Sequence, residues 1–144
     1  MSKINTAKIS RGENYKGLPY LVLDYPSVFT KNNILAFRTM FYWGNFFSIT
    51  LHLQGDYLTL NRDVLHSKIA QLQALELFIS TGNSPWQYHY SSDNYLPIAP
   101  LDKEKFFTDS FIKLSQRIPL NEYASLPDKA ASFVRTFLEF LRTE

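Results

Sequence analysis

Three histidines, His52, His66 and His89, are the side chains of this chain best suited to proton transfer near neutral pH. Three imidazoles can in principle hold zinc, but their spacing matches no short ligand motif and no His-Glu-x-x-His run occurs. The chain has no cysteine, which excludes thiolate catalysis, disulfides and cysteine zinc sites. The acids Asp24, Glu76 and Asp93 are scattered over separate elements, so they make no general acid/base pair. No serine sits in a Gly-x-Ser-x-Gly elbow. The two glycines of Arg11 to Gly17 lack the spacing and preceding strand of a phosphate loop. These residues lead us to expect neither a metal nor a cofactor.

His52 gains interest from its neighbours. The stretch from Ile34 to Gln54 is a dense aromatic block; six of the eleven residues from Phe37 to Phe47 are aromatic. It reads as a hairpin around Trp43-Gly44-Asn45. A two-residue loop, Gly44-Asn45, would mix polar and apolar side chains on both faces. A three-residue loop separates them, and Gly44 or Asn45 can supply the left-handed residue that such loops use. That register puts Leu35, Phe37, Phe41, Phe47, Ile49, Leu51 and Leu53 on a core face. Ala36, Arg38, Met40, Tyr42, Phe46, Ser48, Thr50, His52 and Gln54 share the other face. Arg38, Thr50 and His52 could bind an anion there, whereas a plain solvated sheet face would carry the same polar residues. Met40, Tyr42 and Phe46 make this face more apolar than a solvated one needs to be, which suggests a pocket or a partner.

A second cluster, Trp86, Tyr88, His89, Tyr90 and Tyr95, lies in a segment with the composition of a loop. Amphipathic aromatics of this kind line ligand clefts and interfaces, or close a core as a lid. The candidate ligand or interface residues are therefore Arg38, Tyr42, Thr50, His52, Trp86, Tyr88, His89 and Tyr90. If the 83–100 segment folds over the hairpin, both clusters become one site.

The elements that must position them follow from periodicity. Leu18 to Tyr25 reads as a strand, placed at a sheet edge by Pro19 and Pro26. Gly55-Asp56 signals a turn into a further strand at 57–60. The result is an antiparallel meander of about four strands over residues 18–60, with a fifth conceivable at 86–91. From Asn61 the period changes. Leu65, Ile69, Leu72, Leu75 and Ile79 recur at helical spacing, giving a helix over 62–81 capped by Asn61 and stopped at Gly82. Asp102 opens a second helix over 103–117, with Phe107, Phe111 and Leu114 on one side. A third runs over 127–142 from Pro127. The class is α+β, with at least the first helix on the meander's apolar face.

The 144 residues suffice for one globular domain, 1–144, with a core of its own. Net charge is +2, and the basic excess is spread thinly over residues 1–38 without a concentrated patch, which argues against nucleic acid. No apolar run reaches membrane-spanning length, and the polar start lacks the apolar stretch of a secretory signal. A cytoplasmic protein is the expectation. Two functions fit. The first is a non-enzymatic module binding a small-molecule ligand or a protein, a homo-oligomer included, through the Arg38/Tyr42/His52 face and the Trp86–Tyr90 segment. The second is a small enzyme using His52 or His89 as general acid/base, with Arg38 binding an anionic group.

Overall fold

The computed structural model describes residues 8–15, 18–29, 32–42, 44–87 and 89–142, with side chains from Tyr20 onward, Pro26, Val28 and Phe29 excepted. The class is α+β. Seven strands, β1 (Lys8–Tyr15), β2 (Leu18–Phe29), β3 (Ile34–Tyr42), β4 (Phe46–Gln54), β5 (Phe78–Ser80), β6 (Tyr95–Pro97) and β7 (Phe111–Pro119), form one sheet in the order β1-β2-β3-β4-β7-β5-β6. Every described pairing is antiparallel. The helices are α1 (Asp56–Ser67), α2 (Ile69–Ala74), the single turn α3 (Lys105–Thr108) and α4 (Leu126–Leu138).

The hairpin takes the three-residue loop. Ile34 pairs with Gln54, Phe37 with Leu51 and Tyr42 with Phe46, and Gly44 supplies the left-handed residue at φ 71. Trp43 itself lies outside the described residues. The core then gathers Leu35, Phe37, Ile49, Leu51 and Leu53 of the hairpin with Leu58, Leu65 and Leu72 of the first two helices. Phe133 and Phe137 of α4 complete it. Phe41, at the hairpin end, is only half-buried against Phe47.

Several elements differ from the sequence reading. Residues 57–60 form the first turns of α1 instead of a strand. Gly55, at φ 66, turns the chain so sharply that an added Cβ would collide with the backbone of Asn32. Asn33 Oδ1 then accepts from the Asp56 backbone N–H at 2.9 Å, satisfying a donor at the helix start. Asn61 is no cap. It is buried inside α1, donating to the Arg142 carbonyl at 2.8 Å and accepting from the Arg142 N–H at 2.6 Å, which ties the segment after α4 to α1.

The long helix breaks at Lys68, ends at Ala74 and turns through Glu76, which adopts a left-handed φ of 58. Ile79 therefore reaches the core from β5. The proposed helix over 103–117 stops at Thr108, and 111–119 is β7, a central strand paired with β4 from Phe46↔Pro119 to Gln54↔Phe111. β2 is internal, covered by β1; Pro26 falls in a bulge between Asp24 and Ser27, where the ladder tolerates it. Residues 86–87 and 89–91 are not strand.

Candidate functional site

The face of Arg38 and His52 is assembled from four adjacent strands, β2, β3, β4 and β7. Pairing aligns Ala36, His52 and Lys113 in one row, and Asp24, Arg38, Thr50 and Ser115 in the next. Met40, Ser48 and Arg117 form a third. Lys113 and Ser115 do not stand out in the sequence, because Phe107, Phe111 and Leu114 give this stretch a helical spacing. The alternation of Ile112, Leu114 and Ile118 with Lys113, Ser115 and Arg117, interrupted at Gln116, is the signal available for a strand.

This face is closed by the segment between β5 and β6. Trp86 lies edge-on to His52, with ring centroids 5.4 Å apart, and the Arg38 guanidinium sits 5.4 Å from the Trp86 ring. Tyr90 packs on Phe46 and Phe78 and stacks on Tyr95, while its hydroxyl shares a hydrogen bond with Ser115. Ser115 also bonds Thr50 at 2.8 Å. Lys113 Nζ donates to the Gln87 carbonyl at 2.5 Å and lies 5.1 Å from the Tyr95 ring. The structure thus brings Arg38, Tyr42, Thr50, His52, Trp86 and Tyr90 into one layer. Tyr88 lies outside the described residues.

His89 belongs to the same loop but does a different job. It pairs with Asp93 at 2.9 Å, and Asn94 donates to its carbonyl at 2.8 Å. The Ser91 hydroxyl, and after it His89, holds the Asp93 carboxyl below its ordinary value. These bonds fix the shape of the lid.

Burial sets the chemistry of the layer. His52 is 3% exposed, and loss of solvent lowers its pKa to about 3. The Gln54 hydrogen bond opposes that shift, whereas the nearby Lys113 and Arg38 charges add to it. The imidazole is neutral at pH 7, with Nε2 against Gln54 Oε1 at 3.1 Å and a buried Nδ1 that has no hydrogen-bond partner among the described residues. Arg38 forms a two-pronged ion pair with Asp24, Nε to Oδ1 at 2.6 Å and one terminal nitrogen to Oδ2 at 3.0 Å. Its guanidinium already holds a carboxylate from this chain. Among the described residues, no three His, Cys, Asp or Glu side chains lie close enough to share a metal ion.

Lys113, only 2% exposed, has its pKa lowered to about 7 by desolvation first and by Arg38 second. Above pH 7 the folded chain sheds this proton while the unfolded chain keeps it up to its ordinary value, so stability rises with pH through that window. Below pH 7 both forms carry the charge, and the folded state bears the full cost of burying it. His52 adds a second loss as pH falls from its ordinary 6.5 toward 3. We therefore expect Lys113→Met to flatten the rise in urea-unfolding stability between about pH 7 and 9.5. A variant retaining the wild-type slope would show that another group titrates there.

The opposite face is open at one end. β2 directs Leu21 and Leu23 to the helix side, beside Phe41 and Thr39, yet α4 does not cover them. Leu21 is 43% exposed, Leu23 36% and the neighbouring Tyr25 51%. Between this margin and α4 runs a groove of about 630 Å³. Its walls are Leu23, Tyr25 and Thr39 on the sheet and Ala130, Ala131, Val134 and Leu138 on the helix, with Arg135 and Glu139 also lining it. Sequence reading missed it, because Leu21 and Leu23 look like core residues until the extent of the helical layer is known. No described helix is long and apolar enough to cross a membrane. Comparison with protein-family models, with curated proteins and with solved structures gives no match.

Proposed function

We propose that this protein is a non-enzymatic interaction module that docks apolar surface of another polypeptide in the groove between β2, β3 and α4. The observation that carries this reading is the groove itself, about 630 Å³ and almost wholly apolar, continuous with the exposed Leu21, Leu23 and Tyr25. Contiguous exposed apolar surface is costly to keep in water and characteristically marks an interaction site. A site open along one side suits a chain laid across it better than a small molecule, which binds where most of its surface can be buried.

The Arg38/His52 face supports this choice by contrast. Its lid and its internal hydrogen bonds give it the character of a second, polar-aromatic core. An enzyme reading would need His52 to exchange protons near neutrality and Arg38 to receive a substrate anion. The low pKa of His52 and the Asp24 partner of Arg38 weigh against both.

A polarity-sensitive naphthalene sulfonate dye tests the groove. At dilutions where chains do not self-associate, the folded protein should enhance its fluorescence, and Leu23→Glu or Ala131→Glu should weaken dye binding at least about tenfold, with circular dichroism unchanged. Equal dye binding by both variants would remove the groove as a docking surface.

A further inference from the structure

We propose that the polypeptide received by this groove is a second copy of the same chain, related by a two-fold axis that sets the two α4 helices antiparallel. Arg135 of each copy then meets Glu139 of the other. This proposal rests on the reading of the groove as a docking surface.

The charges lining the groove select this occupant. Arg135 and Glu139 are both exposed, stand one helical turn apart and line the same groove. Neither enters an ion pair with a described residue, although their spacing on the helix would permit one to the other. A partner of uniform charge would attract one of the two and repel the other. An antiparallel second copy presents the opposite sign to each, and two-fold symmetry makes the contact twice.

The apolar surface fits the same arrangement. Ala130 and Ala131 leave room on α4 for close approach, while Leu21, Leu23 and Tyr25 stand exposed beside the groove. What one copy leaves uncovered, the other can fill. Pairing through the outer edge of the sheet is a poorer route. Among the described strands β1 forms that edge, and its register break between Gly12 and Tyr15 discourages edge-to-edge addition.

Sedimentation velocity on the full chain tests this with R135E, E139R and an equimolar mixture of the two. The wild type should dimerise. Each single variant brings like charges together across the axis and should dimerise at least about tenfold more weakly. The mixture should regain wild-type association, because each chain then meets opposite charge, and the double variant R135E/E139R should regain it alone. Both positions are exposed, so circular dichroism should show every variant folded. A wild type that stays monomeric up to about 1 mM overturns the proposal, as does a mixture no stronger than its components. A monomeric wild type that still binds the dye in the groove overturns self-association alone. A monomer that binds no dye there overturns the docking function as well.

Discussion

Replacing Phe37 by alanine should destabilise the protein by about 3–5 kcal/mol, read as a lower urea midpoint at unchanged slope. Phe37 is 1% exposed and lies at the meeting of the hairpin and α4, its ring centroid 6.2 Å from Phe133 and 6.4 Å from Phe137. Its removal takes apolar area out of the core and leaves a cavity between a strand and a helix that cannot readily close on it. Phe41 shares the strand and the face but is half-buried at the hairpin end. Phe41→Ala should therefore cost less than half as much, since part of that ring is already in water. Equal losses at the two positions would show that the sheet and α4 do not pack as described.

Asp24→Asn should cost about 3 kcal/mol, the lower end of what removing one partner of a buried ion pair costs. Asp24 and Arg38 have side-chain exposures of 6% and 12%, and their two hydrogen bonds bridge β2 and β3. Without the carboxylate, the guanidinium is held under Trp86 close to Lys113, with its own charge uncompensated. Removing both charges together, as in Asp24→Asn with Arg38→Met, should recover most of the loss, because the cost lies in the stranded cation. Urea unfolding of the two single variants and the double variant measures the coupling. Additive losses would mean that the pair contributes nothing beyond its separate side chains. The same ion pair explains why Arg38, conspicuous in the sequence as a candidate anion binder, has become part of the structure's interior.

The sequence alone determined what depends on neighbours along the chain. The register of the Ile34–Gln54 hairpin was legible because a single residue's slip would have mixed its two faces, and because Gly44 could take the left-handed position. The α4 stripe of Phe133 and Phe137 was legible for the same local reason, the helical period. The α+β class followed from these patterns. Local signals misled where distant partners competed with them. Phe107, Phe111 and Leu114 have helical spacing, but β7 gains a full ladder against β4, some sixty residues earlier, and that pairing overrode the pattern. Gly55 signalled a turn correctly, while the contacts of Asn33 decided that a helix would follow it.

Only the tertiary structure decided the fate of the candidate residues. The sequence placed Arg38, Thr50 and His52 on one face; the fold added Lys113 and Ser115 from β7 and laid Trp86 and Tyr90 across them. Burial then took His52 out of solvent and lowered its pKa to about 3. It also left Leu21, Leu23 and Tyr25 in water beyond the reach of α4. Whether an apolar side chain is core or docking surface depends on what covers it, and coverage is a property of the packed layers that no local period encodes.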